Sequence, residues 1–511
     1  MERNEVFKPL PDMIREWAAK QPDHAALIQD DRRITYKDLD TLMDRVAAAL
    51  QRDEIAPGET ISICAATSIE YAYVFLGALR AGVAVAPLAP SSTPESITGM
   101  LTDAGAHLLF VDAEVSRALE DQRGDIAAAW VALDGGAHGR ALGDWLAPEG
   151  AEAKAVAVTP EMPFNIIYSS GTTGAPKGIV QSHGMRFGHI MRAQSMGYAP
   201  SAVTLLSTPL YSNTTLVSFF PTVGLGGTVV LMKKFDAGQY LDLAQRHRVT
   251  HTMLVPVQYS RLMARPDFDA YDLSSFVMKF CTSAPFAAAL KADIVKRWPG
   301  GLIEYFGMTE GGGTCVLPAH LYPEKLHTVG MPATGHDIRF IDDDGHELPR
   351  GEVGEIVGRS ALMMSGYHNR QEQTDAATWI SPDGLPFIRT GDVGRFDAEG
   401  FLELMDRKKD MIISGGFNIY PSDLEAVLRE HPDVADCAVV GAPSPDWGET
   451  PVAFVVSRGA DAETLRAFAN AKLGKTQRIA AVELIDELPR SHIGKVLKRA
   501  LRDQYVAKVP G

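Results

Sequence analysis

Apolar residues recur with helical spacing over 11–20 and 37–52, and short apolar runs recur at 60–65, 84–88, 107–111, 164–168, 228–232 and 253–255. The first pattern predicts helices with one buried face; the second predicts strands. Helical stretches at 67–80 and 237–247 fall between these runs. Strand and helix alternating in this way predicts an α/β fold of mixed or mostly parallel sheets covered by helices. From about 337 the texture changes to short strands punctuated by Asp344-Gly345, Asp383-Gly384 and Glu399-Gly400, which predicts a small β-rich subdomain. After the charge run Asp406-Arg407-Lys408-Lys409-Asp410 the pattern restarts. Ser422-Asp423-Leu424-Glu425 has the form of a capping box opening a helix through about 430. Strands near 434–440 and 451–456, a helix near 462–472 and a strand near 481–485 complete a compact α+β unit. The predicted domains are therefore 1–406, with the β-rich part at about 337–406, and 407–511.

The length of 511 residues supports two or more domains. With 46% hydrophobic and 22% charged residues the composition is that of an ordinary globular protein. The net charge of −15 argues against a nucleic-acid binder, which would need a basic stripe to neutralise phosphates. Cys64, Cys281, Cys315 and Cys437 form no Cys-x-x-Cys pair, which removes common zinc and redox motifs and fits a cytoplasmic location. The first residues show no apolar signal region, and the apolar stretch at 221–232 is too short to span a bilayer.

Candidate chemistry concentrates at Tyr168-Ser169-Ser170-Gly171-Thr172-Thr173-Gly174-Ala175-Pro176-Lys177-Gly178. Glycines allow a backbone to approach an anion, and hydroxyl and N–H groups donate to phosphate oxygens. The spacing departs from the common phosphate loop, in which lysine follows glycine and precedes serine or threonine. Downstream lie Tyr305-Phe306-Gly307-Met308-Thr309-Glu310, Gly351-Glu352-Val353-Gly354-Glu355 and Arg389-Thr390-Gly391-Asp392. Then come Ser414-Gly415-Gly416-Phe417-Asn418-Ile419-Tyr420-Pro421 and Pro489-Arg490-Ser491-His492-Ile493-Gly494-Lys495.

In this order, these motifs resemble those of the AMP-forming acyl-CoA synthetases, relatives of luciferases and peptide-synthetase adenylation domains. The resemblance covers essentially the whole chain. It implies that a carboxylate attacks the α-phosphate of ATP, giving acyl-AMP and pyrophosphate, and that coenzyme A then displaces AMP. It assigns Ser169, Ser170, Gly171, Thr172, Thr173, Gly174 and Lys177 to the β- and γ-phosphates. Thr309 is assigned to the α-phosphate and Glu310 to Mg²⁺. Phe306 replaces a frequent tyrosine against adenine, and Ser283-Ala284-Pro285 lies along adenine and the acyl group. Asp392 is assigned to the ribose hydroxyls and Arg407 to ribose or phosphate. Lys495 bridges the carboxylate and α-phosphate, where a compact ammonium suits dispersed negative charge. The resemblance also implies that Ser414, Gly415 and Gly416 line the thiol route and that Lys409 is the hinge about which the C-terminal domain turns.

The acid is less legible. Pro209-Leu210-Tyr211-Ser212 stands where relatives often end in histidine, so Tyr211 and Ser212 are candidate pocket residues and the usual gating histidine is absent. His183, His189 and His251 lie nearby in sequence, but lone histidines are more often structural. Gly311-Gly312-Gly313 leaves room for a ring or chain, or forms a tight turn. An aryl, phenylpropenoid or medium-chain fatty acid fits this reading. A carrier-protein phosphopantetheine as acceptor, a luciferase-like oxygenase, a nucleotide-binding regulator and a homodimeric assembly stay open.

Overall fold

The computed structural model describes residues 6–136, 138–169, 176–407, 410–414, 417–444, 447–474, 477–490 and 496–508. Two compact units emerge: 1–326 with 333–337 and 359–388, and 327–332 with 338–358 and 389–511.

The first unit is built on two sheets. One runs through Cys315–Pro318, Gly301–Phe306, Met278–Cys281, His251–Leu254, Val203–Leu206, Thr228–Leu231, Ala25–Gln29 and Arg32–Thr35, with antiparallel pairing only at its two ends. The other runs through Gly366–Tyr367, Lys177–Ser182, Pro163–Ser169, Ala84–Leu88, Thr60–Cys64, Leu108–Val111, Ala129–Ala132 and Arg140–Ala141. Its first two pairings are antiparallel and the rest parallel. The alternation of strand and helix is thus realised as expected.

Helix Ile69–Arg80 shows why the sheets pack as they do. It is apolar on nearly every side and every residue except Glu70 is buried, as a helix enclosed by protein must be. Gly77 lets helix Tyr36–Arg52 approach, since a Cβ there would meet Val46 Cβ at 2.5 Å. Arg80 ends the helix buried, and its guanidinium reaches Asp40 at 2.5 Å and Asp44 at 3.2 Å, so the charge is paired rather than stranded.

In the second unit, strands Asp337–Ile341, Gly354–Arg359, Pro386–Phe396 and Leu402–Arg407 form the β-rich part. A separate sheet orders Phe417–Ile419, Ile412–Ser414, Gly448–Ser457 and Val434–Ser444, with Ala481–Leu484 parallel to Gly448–Ser457. Helices Pro421–Arg429 and Ala462–Lys472 cover one face.

The capping box at Ser422 does not form. The helix begins one residue earlier, at Pro421, with Tyr420 as N-cap and no side-chain capping bond. Proline suits the first helical position because its missing N–H is not needed there. Glu425 is used elsewhere: its carboxylate accepts from the Val439 backbone N–H at 2.9 Å and pairs with Lys498 at 2.9 Å.

Candidate active site

The glycine-rich loop connects two strands of one hairpin. Strands Pro163–Ser169 and Lys177–Ser182 pair antiparallel, and the ladder closes on Ser169 opposite Lys177. Ser170, Gly171, Thr172, Thr173 and Gly174 lie outside the described residues, as does the side chain of Ser169. Lys177 Nζ stands 5.0 Å from the ring centre of Tyr367. The Tyr367 hydroxyl donates to Glu310 Oε1 at 2.9 Å, and Gln181 Nε2 donates to the Thr309 carbonyl at 2.7 Å. Burial, with the neighbouring Glu310 charge, pushes the Tyr367 phenol up, so it remains a donor. The structure therefore brings Lys177 to the Thr309-Glu310 pair, from which it is far removed in sequence.

Tyr367 and Gln181 are contributors that the sequence reading missed. Strand Gly366–Tyr367 pairs antiparallel with Lys177–Ser182, placing Tyr367 opposite Ile179. Gly366 at φ 139° is the local signal: a glycine before an aromatic in an otherwise irregular stretch. Glu310 suits a divalent cation. Its carboxylate is a hard oxygen donor held by a phenol, and Mg²⁺ takes one or two protein carboxylates together with substrate phosphates. The only cluster of three candidate metal ligands among the described residues, Asp342, Asp344 and His346, lies on a mostly exposed turn away from these motifs in the chain.

Ser283 follows strand Met278–Cys281 with φ 83°, a region that side chains rarely occupy. Its hydroxyl lies 2.7 Å from Thr214 Oγ1, which ties the Ser283-Ala284-Pro285 segment to the helix after Tyr211-Ser212. Ser212 is the buried N-cap of helix Asn213–Gly224 and makes no side-chain capping bond. Tyr211 is half-buried, and burial raises its phenol to about 12. Phe306 is half-buried and sits opposite Cys315 in the sheet. Gly311 acts as a tight turn: at φ 74° its Cβ would meet the Leu362 carbonyl oxygen at 2.1 Å.

In the second unit, Asp392 and Arg407 are directly opposite on paired antiparallel strands, with a bulge between Asp392 and Gly394. Asp392 is half-buried, and its N–H donates to Thr390 Oγ1 at 3.0 Å. Ser414 is buried and pairs with Phe417 and Gly448. Lys409, Gly415, Gly416 and Lys495 lie outside the described residues, as does the Arg407 side chain.

Helix His183–Ala193 carries a buried basic network that sequence spacing does not reveal. Arg186 is 1% exposed; its Nε donates to Asn165 Oδ1 at 3.0 Å, and its Nη2 donates to Asn213 Oδ1 at 2.9 Å and to Gln181. Its guanidinium also lies 5.3 Å from the Phe220 ring centre and 5.9 Å from that of Phe164. Burial lowers it to about 9, still charged at neutral pH. His183 packs edge-on against Phe164 at 4.9 Å, and His251 lies 3.0 Å from the Met196 carbonyl and 2.7 Å from Thr250 Oγ1. Both are structural, as lone histidines usually are.

Among the described residues, no helix is long and apolar enough to cross a membrane. The family model "AMP-binding enzyme" matches residues 14–368, and the model "AMP-binding enzyme C-terminal domain" matches 423–495. The chain is 32% identical to an indoleacetate–CoA ligase of Aromatoleum aromaticum, over 98% of each chain. It is 31% identical to the fatty acid–[acyl-carrier-protein] ligase ScoC of Streptomyces coeruleorubidus, over 96% of this chain and 95% of that one. ATP-bound MatB from Rhodopseudomonas palustris shares the fold with a TM-score of 0.88 at 27% identity, covering 97% of this chain and 99% of the other. With both family models matched and relatives aligned over nearly the whole of both chains, the chain belongs to the AMP-binding enzymes as an AMP-forming acyl-CoA synthetase.

Proposed function

We propose that the chain joins an aryl, phenylpropenoid or medium-chain fatty acid to coenzyme A through an acyl-adenylate. The observation that carries this is the row Lys177–Tyr367–Glu310, with Thr309 held beside it by Gln181. A cation, a phenol and a carboxylate in sequence suit a triphosphate whose metal sits on the carboxylate. Mg²⁺ held by Glu310 would neutralise phosphate charge, and Lys177 with the loop hydroxyls would hold the leaving pyrophosphate. Thr309 would donate to the α-phosphate, and Asp392 would accept from the ribose hydroxyls, with Arg407 opposite it.

Lys495 is assigned to the adenylation step, bridging carboxylate and α-phosphate as charge develops. Residues 407–511 then move as one domain about Lys409, and the Ser414-Gly415-Gly416 segment opens the thiol route. The apolar acid reading rests on the rings of Phe280 and Tyr305, stacked 5.8 Å apart near the Ser283 segment. Relatives named for indoleacetate and ferulate support an aromatic acid. The test is AMP release with coenzyme A across aliphatic, benzoic and cinnamic acids, beside pyrophosphate exchange. Lys495→Ala is expected to lose exchange while thioester formation from supplied acyl-AMP survives; equal loss in both would refute its assignment.

A carrier-protein acceptor is the second reading, favoured by the similarity to ScoC. Offering coenzyme A and a phosphopantetheinylated carrier side by side decides between them.

A further inference from the structure

Arg186, His189 and Arg192 follow one another at three-residue intervals on helix His183–Ala193, and His336 stands beside them in the same compact unit. His189 feels Arg186, Arg192 and His336, and Arg192 feels Tyr305. The group is unusual in having donors without acceptors. Arg186 Nη1 is buried with no hydrogen-bond partner among the described residues. The Thr314 backbone N–H donates to His336 Nδ1 at 3.0 Å, so the neutral ring carries its proton on Nε2. That Nε2 is buried and has no hydrogen-bond partner among the described residues. Burial lowers His336 to about 4, so neutral is its form at physiological pH. Arg192 has no carboxylate partner among the described residues. The Arg192 guanidinium and the buried Nε2–H of His336, which feel one another, are costly to leave without an acceptor, and Arg186 Nη1 is a further unmatched donor lower on the helix.

The position says which part of a substrate that acceptor belongs to. Arg186 is anchored beside Gln181 and Asn213, and Gln181 holds the carbonyl of Thr309, the residue proposed above to meet the α-phosphate that the reacting carboxylate attacks. At about 1.5 Å of helix rise per residue, Arg192 lies about 9 Å further along the axis. Tyr305, which Arg192 feels, stacks on Phe280, and Phe280 on Tyr198, in the same unit. About 9 Å is the span from the reacting carboxyl of a cinnamic acid to a substituent at its para position.

Resting on the acid-ligase reading above, we propose that the acid carries a second carboxylate at its far end, received by Arg192 with the Nε2–H of His336. An anion there supplies the missing counter-charge and accepts from donors that the protein leaves unmatched. The aromatic walls make a flat, carboxylate-ended acid the preferred class.

The test compares cinnamic acid bearing hydrogen, hydroxyl or carboxylate at the para position, read as kcat/KM for pyrophosphate exchange, which needs no thiol. The carboxylate is expected to exceed hydrogen by at least about 30-fold, roughly 2 kcal/mol at a tenfold change per 1.4 kcal/mol. Arg192→Met should collapse that ratio towards one, and Arg192→Lys should restore part of it. Retained ATP-dependent thermal stabilisation shows that each variant is folded. Equal rates for the three acids, a preference for hydroxyl over carboxylate, or a ratio unmoved by Arg192→Met would overturn the proposal. No exchange with any acid, aliphatic series included, would instead remove the adenylating reading on which it rests.

Discussion

Ser283 keeps a left-handed backbone that its Cβ disfavours, beside a hydroxyl bond to Thr214. Strain of this kind costs about 1–3 kcal/mol and persists where surroundings over-determine it. Ser283→Ala and Ser283→Gly both remove the hydroxyl, but only alanine retains a Cβ at φ 83°. The glycine variant is therefore expected to be more stable than the alanine variant by about 1 kcal/mol, measured by urea unfolding. Both should lose adenylation rate, because the Ser283–Thr214 tie is gone. Tyr367→Phe removes the donor to Glu310 and nothing of the ring beside Lys177. Pyrophosphate exchange should fall about 10- to 150-fold, the effect of a hydrogen bond to a charged group at about 1.5–3 kcal/mol; an unchanged rate would detach Tyr367 from the chemistry. These residues also mark where sequence stops speaking. Lys177, Thr309 and Glu310 are legible because their motifs are contiguous. Gln181 and Tyr367 act through tertiary contacts with no fixed spacing, and the donors around Arg192 come from separate segments.

Strand Gly301–Phe306 works on both faces because side chains alternate along it. Tyr305 faces the basic helix, while Glu304 points the other way, buried against Lys291 at 2.5 Å. Burial raises the Glu304 carboxyl to about 7, and Lys291 opposes that shift. Removing one partner strands the other: Lys291→Met should destabilise by about 3–5 kcal/mol, and Lys291→Met combined with Glu304→Leu by much less. Denaturant melts of both variants check this. Strand and helix positions are readable in most of the first unit because apolar runs and helical spacing survive the few polar groups, such as Ser62, Arg80 and Arg186, that these elements bury. Start signals were less secure. At Ser422 the capping pattern was present, yet Pro421 set the helix start and Val439 and Lys498 claimed Glu425.

At the scale of the molecule, acid should unfold the first unit through its buried histidines. Burial holds His183 at about 4, against about 6.5 in an unfolded chain. The unfolded state binds the proton first, so this contribution to stability is complete above about pH 6.5 and is lost as pH falls towards about 4. The helix N-terminus beside His183 adds to the penalty on its charged form. Melting temperature should therefore drop between pH 6.5 and 4.5, and His183→Phe should flatten part of that slope. Lys409→Pro addresses the second unit: adenylation should survive while coenzyme A transfer collapses, and an unimpaired overall rate would refute the hinge. The pairing of Asp392 with Arg407 carries a consequence for length rather than chemistry. The turn at 397–400 lies outside the ladder, so an insertion there lengthens the hairpin and leaves its partners matched. Deleting a single residue within Leu402–Arg407 slips the pairing by one, and every side chain beyond it changes face. A gene for this chain can gain codons at the first place and keep the ladder, while at the second a three-base deletion is expected to turn Asp392 and Arg407 out of register.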